Sequence, residues 1–246
     1  MEGTSFEGRV AVVTGGAGGI GTGICRCLAE AGGRIVLVGR RSQEALQAKA
    51  NGLPGQGHMG ASVSVEDSEG LKRLAGEIQE RCGRLDLLVN NAGTSRLVPH
   101  DDLESLDDAL IDRIFRVNLR GPLACIRAFR SLLEAGEGGV VVNISSEAAT
   151  SGRGSNVAYV ASKAGLNAIT GALARALAPK IRVVAVAPGF VDTGFISRDP
   201  AFTKPAAEQA LLKKPLLPED IGRAVLALAT VLHQSTGCVL PVDGGR

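Results

Sequence analysis

The chain has 246 residues, 45% hydrophobic and 21% charged, which is enough apolar material for a sizeable core and too much for a disordered segment. Its formal net charge is +2 with both signs interspersed, so it offers no basic stripe for a phosphate backbone, and no nucleic acid partner is expected. Five cysteines without a Cys-x-x-Cys pair (Cys25, Cys27, Cys82, Cys125, Cys238) and three dispersed histidines (His58, His100, His233) exclude the usual zinc patterns and predict reduced, mostly buried thiols with no metal.

The opening MEGTSFEGRV lacks a basic-then-apolar leader pattern, and no apolar run approaches the ~20 residues that cross a bilayer. A cytoplasmic protein without a membrane partner is expected. Short, continuous apolar runs then follow one another: RVAVVT, RIVLV, LDLLVN, GVVVNIS, IRVVAVA and GCVLPV, with the glycine-rich QGHMGASV as a weaker seventh. Such runs suit strands buried on both faces of a parallel sheet. Amphipathic stretches alternate with them, at Gly21 to Ala31, Glu66 to Arg81, Leu110 to Glu134, Ser155 to Ala178 and Pro218 to Leu232. The alternation predicts right-handed βαβ units in one α/β Rossmann-type domain spanning 1–246, a doubly wound seven-stranded parallel sheet flanked by helices. Pro200, Pro205 and Pro215 break any long helix around 190–217, and a loop there, after a late strand, is placed to cover the ligand crevice.

The first strand runs into TGGAGGIG, Thr14 to Gly21, where Gly15, Gly19, Ile20 and Gly21 make a tight turn into a helix. A bare structural turn would use the same glycines, but at a first strand-to-helix junction they favour a nucleotide pyrophosphate at a helix N-terminus. After the second strand, Gly39 stands where an acid would bind the ribose of NAD, and Arg40 and Arg41 follow. Basic residues there favour the 2′-phosphate of NADP(H), with NAD(H) as the alternative and solvated surface arginines as the plain one.

Tyr159, the chain's only tyrosine, lies four residues before Lys163. In order, TGGAGGIG, NNAG at Asn90 to Gly93, VNL around Asn118, ISS with Ser145 and Ser146, YVASK, PG at Pro188 and Gly189, VDT at Val191 to Thr193, and VDGG resemble the classical short-chain dehydrogenase/reductase family over nearly the whole chain. The resemblance implies hydride exchange between a nicotinamide and a small ketone or secondary alcohol, with Tyr159 as general acid/base and Lys163 as the cation favouring its phenolate. Ser146, thirteen positions before Tyr159, would hold the substrate oxygen, and Asn118 would support a water linking the lysine to solvent. It further implies that Asn90, Ala92 and Gly93 pass the adenosine ribose and that Pro188, Gly189, Val191 and Thr193 flank the nicotinamide. Ser62 and Val63 stand where the family often has an Asp-Val pair at adenine, and Gly18 where NADP-preferring members often have a base.

Residues expected to face substrate are Ser95, Arg96, Ser146, Glu147, Ala148, Arg153, Phe190, Phe195, Ile196 and Phe202. Alternatives are a nucleotide-binding regulatory protein without turnover, a sugar-nucleotide epimerase, and a 3-oxoacyl-(acyl-carrier-protein) reductase. The last is disfavoured by Glu134 and Glu137 in the turn before the fifth strand, where an acidic carrier would want basic residues. A homotetramer or homodimer is implied, built on the two long helices around the fifth strand and on the C-terminal strand.

Overall fold

The computed structural model describes residues 4–191, 193 and 210–245. Seven parallel strands form one sheet in the order β3-β2-β1-β4-β5-β6-β7. They are β1 (Val10–Thr14), β2 (Arg34–Gly39), β3 (Met59–Ser62), β4 (Leu87–Asn90), β5 (Gly139–Ile144), β6 (Ile181–Pro188) and β7 (Val239–Val242). The strand order reverses between β1 and β4, which pair through Ala11↔Leu87 and Val13↔Val89. Such a reversal opens a crevice at the strands' carboxyl ends.

Alternate residues of β1, β2, β4, β5 and β6 feed two cores. Val10 and Val12 face one, with Leu71, Ile78 and Phe129, while Ala11 and Val13 face the other, with Ile24, Leu28, Ile221 and Val225. This period of two explains why the strands read as unbroken apolar runs. Truncating a fully buried residue such as Leu71 or Phe129 to alanine would cost about 2–5 kcal/mol.

The α-helices among the described residues are α1 (Gly19–Glu30), α2 (Gln43–Asn51), α3 (Ser68–Cys82), α4 (Asp108–Phe115), α5 (Gly121–Glu134), α6 (Ala148–Ser151), α7 (Val157–Leu177) and α8 (Pro218–Thr230). The stretch expected as one helix from Leu110 is α4 and α5 joined by a π-helical turn, Arg116–Arg120. That turn carries Asn118, and π turns inside helices cluster at functional positions. α2 has no counterpart among the amphipathic stretches, because only Leu46 and Ala50 of its nine residues are buried.

α2 covers the free edge of β3. Gln43 donates to the Gly60 carbonyl at 2.7 Å and accepts from Ser62 N at 3.0 Å; one turn on, Gln47 accepts from Gly60 N at 3.0 Å and donates to the His58 carbonyl at 3.3 Å. The two side chains thus satisfy an edge that would otherwise be open to pairing. A Cβ at Gly60 would lie 2.4 Å from the backbone at Leu46 and Gln47, so the close approach needs glycine.

Candidate active site

The strands' carboxyl ends open into a cleft of about 1070 Å³ that runs from Arg40 and Arg41 past the β1–α1 turn to Tyr159, Glu147 and Phe190. At its centre, Gly15 sits at φ 65°, and a Cβ on Gly21 would lie 2.2 Å from the Gly15 carbonyl oxygen. Only glycines allow this turn to fold against the start of α1. Gly18, just before α1, offers no side-chain cap, the first turn carries no acidic residue, and Gly18, Gly19, Ile20 and Gly21 all line the cleft. An added Cβ at Gly18 or Gly93 would come no nearer than 3.3 or 3.6 Å to protein atoms and would fill the cleft instead. A pyrophosphate at the N-terminus of α1 and a dinucleotide along the cleft fit this cradle.

Ile20, Val63, Ala92, Pro188, Gly189, Val191 and Thr193 line the same cleft. Two adenosine-side expectations are corrected. Asn90 is buried within β4 and donates to Asn143 Oδ1 at 2.9 Å, so it braces the sheet. Its neighbour Asn91 lines the cleft and donates to the carbonyls of Thr14 at 2.9 Å and Gly15 at 3.2 Å, tying β4 to the glycine turn. Ser62 is the last residue of β3 and its hydroxyl donates to the Arg41 carbonyl at 2.7 Å, away from the cleft. Ser64 and Val65, two and three residues further along, line the cleft instead.

Asn156 caps α7: its Oδ1 accepts from Tyr159 N at 2.7 Å, and its Nδ2 donates to the Arg96 carbonyl at 2.7 Å and to Ser95 Oγ at 3.2 Å. Ser95 and Arg96 are therefore not cleft residues. Ser95 pairs with Ser155, and Arg96 with the Ser105 carbonyl and Asp107, so both hold the loop that clamps the start of α7. Thr94 and Ser155 line the cleft in their place, beside Ala148, Arg153 and Phe190. Phe195, Ile196, Phe202 and most of the expected covering loop lie outside the described residues.

Asn118 is fully buried and its side chain is fully engaged. It accepts from Thr94 N at 2.8 Å, and donates to the Thr94 carbonyl at 3.0 Å and to Ser162 Oγ at 3.1 Å; Ser162 in turn donates to the Tyr159 carbonyl at 2.8 Å. The π turn thus pins the loop after β4 to the helix carrying Tyr159.

Lys163 is buried, with Nζ 2.7 Å from the Ile144 carbonyl and 5.8 Å from the centre of the Tyr159 ring. Burial draws its pKa down to about 8. The Tyr159 phenol is pushed above its ordinary value, first by burial, while a hydrogen bond with Ser146 lowers it and the Glu147 carboxylate raises it. In the protein alone, desolvation of the phenol outweighs the hydrogen bond from Ser146. Of the two serines, Ser146 meets the phenol, whereas Ser145 is buried and donates to the Lys163 carbonyl at 3.4 Å.

The turn bearing Glu134 and Glu137 precedes β5, at the end of the sheet opposite the cleft. Its charge has no bearing on what docks at the cleft mouth.

This chain belongs to the short-chain dehydrogenase family, whose model, described as short chain dehydrogenase, matches residues 9–201. It is 38% identical over 243 residues to "Granaticin polyketide synthase putative ketoacyl reductase 2" of Streptomyces violaceoruber, covering 97% of this chain and 96% of that one. It is 36% identical over 252 residues to carbonyl reductase family member 4 of Danio rerio, covering 96% and 97%. Among solved structures, 3-ketoacyl-(acyl-carrier-protein) reductase from Brucella melitensis complexed with NADH superposes with a TM-score of 0.89 at 29% identity, covering 98% of this chain and 99% of that one. The protein is an oxidoreductase acting between carbonyl and CH–OH groups of small molecules, of a family that uses NAD(P)(H). No helix among the described residues is long and apolar enough to cross a membrane.

Proposed function

We propose that the protein is an NADP(H)-dependent reductase that converts a small ketone to a secondary alcohol, with Tyr159 as the proton donor. The observation that carries this reading is the convergence of Ser146, Tyr159 and Lys163 on the cleft that holds the glycine turn, with Lys163 Nζ 5.8 Å from the centre of the Tyr159 ring; at neutral pH the phenol holds its proton and has it to give. Bound NADPH would supply the hydride. Tyr159 O–H donates its proton to the carbonyl oxygen, the Ser146 hydroxyl donates a hydrogen bond to the same oxygen, and the Lys163 ammonium offsets the phenolate left behind. In the reverse direction Tyr159 takes the alcohol proton. Asn118 acts at one remove, by fixing Thr94 and Ser162 around the tyrosine helix.

The preference for NADP(H) rests on Arg40 and Arg41, which are exposed, line the cleft end and whose side chains have no hydrogen-bond or ion-pair partner among the described residues. Glu147, Arg153 and Phe190 are the substrate-facing residues of this reading. The relatives named as ketoacyl reductases favour a second reading, a β-ketoacyl thioester as substrate. Assembly as a homotetramer or homodimer is part of the proposal, supported by the part-exposed Leu123 on α5 and Val157 on α7, and by β7, which pairs only with β6 among the described strands.

The test is nicotinamide absorbance over a panel of ketones, secondary alcohols and β-ketoacyl thioesters with NADPH and NADH. Turnover of free ketones, faster with NADPH, supports the first reading. Turnover confined to thioesters supports the second, and faster turnover with NADH removes the cofactor preference.

A further inference from the structure

The discrimination of the 2′-phosphate rests on the two arginines already named, and guanidiniums on an exposed turn recognise phosphate only if the turn is held in place. The residues after β2 have little of their own to hold them, since Arg40, Arg41 and Ser42 are all exposed. Four hydrogen bonds tie this segment and its flanking residues Gly39 and Gln43 to β3 and to Val63, which follows it. Ser62 Oγ donates to the Arg41 carbonyl at 2.7 Å, and Val63 N donates to the Gly39 carbonyl at 3.0 Å. Gln43, at the start of α2, accepts from Ser62 N and donates to the Gly60 carbonyl. Ser42 Oγ meanwhile caps α2 by accepting from Ala45 N at 3.3 Å.

The arginine turn is thereby fastened at both ends to the edge strand β3. Among the described residues, the only side-chain bond to the backbone of either arginine comes from a residue that does not line the cleft, Ser62.

We propose that Ser62, through its bond to the Arg41 carbonyl, is a positioning residue for cofactor specificity, setting the protein's preference for the 2′-phosphorylated nucleotide without touching it. The inference rests on the NADP(H) reading above. Removing the hydroxyl leaves both arginines present but frees their backbone, so phosphate binding weakens while the rest of the cofactor is held as before. Gln43 supports the same turn from the helix side, through the main chain of Ser62.

The experiment measures dissociation constants of the wild type for NADPH and NADH by titration calorimetry, alongside Ser62→Ala, Ser62→Thr and the double variant Arg40→Ala/Arg41→Ala. Loss of one such hydrogen bond corresponds to roughly a two- to tenfold change in affinity. Ser62→Ala is expected to weaken NADPH by that factor and NADH by much less, Ser62→Thr to restore NADPH, and the KM for NADPH to rise with a smaller change in kcat. If the double arginine variant weakens NADPH selectively and Ser62→Ala does not, the role given to Ser62 is wrong while the NADP(H) reading stands. Equal weakening of both cofactors by Ser62→Ala would mark it as a general structural residue and also overturn the proposal. If the double variant binds NADPH as the wild type does, the NADP(H) reading itself fails.

Discussion

Lys163 donates through Nζ to the main-chain carbonyl of Ile144 at 2.7 Å, so the last residue of β5 holds the one ammonium buried beneath the tyrosine ring among the described residues. The bond compensates part of the cost of taking a cation out of water, and the remaining cost appears as a pKa drawn down to about 8.

That burial predicts a pH dependence of stability with a definite sign. The unfolded chain keeps the lysine proton up to about 10.5, and the folded protein releases it near 8, so between these values the unfolded state binds more protons and stability rises with pH. Above about 10 the raised Tyr159 acts in the opposite sense, which closes the window there. The difference in unfolding free energy between wild type and Lys163→Met, from denaturant titrations, is expected to shift in favour of the wild type by about 2 kcal/mol from about pH 7.5 to about pH 10. Titrations common to both, Cys25 and Cys125 included, cancel in that difference. A difference that stays flat would mean that the lysine is not buried as described.

Asn118→Ala removes the partners of both Thr94 backbone groups and the link to Ser162. A loss of about 1–3 kcal/mol in urea unfolding is expected, from leaving buried polar groups unpaired. Turnover should fall as well, because the tyrosine helix loses its anchor. Unchanged stability would show that Thr94 finds other partners.

At Gly21 an alanine would place its Cβ 2.2 Å from the Gly15 carbonyl oxygen, which forces the glycine turn apart at the start of α1. Calorimetric titration of Gly21→Ala should show cofactor affinity lower by about tenfold or more, about 1.4 kcal/mol, with the circular dichroism of a folded protein. Wild-type affinity in a folded variant would contradict the placement of the pyrophosphate.

The sheet was legible because six of its strands are apolar on both faces and leave unbroken runs, while β3, short and bearing Gly60 for the approach of α2, left a faint one. α2 was not legible: it buries only Leu46 and Ala50 and otherwise meets β3 through Gln43 and Gln47, whose bonds to a strand edge leave no apolar periodicity. The residue types of the site were legible from NNAG, Ser146 and the Tyr159–Lys163 spacing, but not which neighbour points where. Asn91 rather than Asn90 faces the cleft because successive strand residues alternate sides, and Ser64 rather than Ser62 does so because β3 ends two residues earlier. The burial that raises the Tyr159 phenol and lowers Lys163 is a property of the packed site that no spacing encodes.

The central claim, that Tyr159 carries the proton, is tested most directly by single-turnover reduction of a ketone substrate by Tyr159→Phe with cofactor binding measured on the same preparation. The expected rate is lower by about 10²–10⁴ with cofactor affinity within a few-fold of the wild type, from loss of a positioned acid. A variant that binds cofactor and reduces the ketone at the wild-type rate would contradict it.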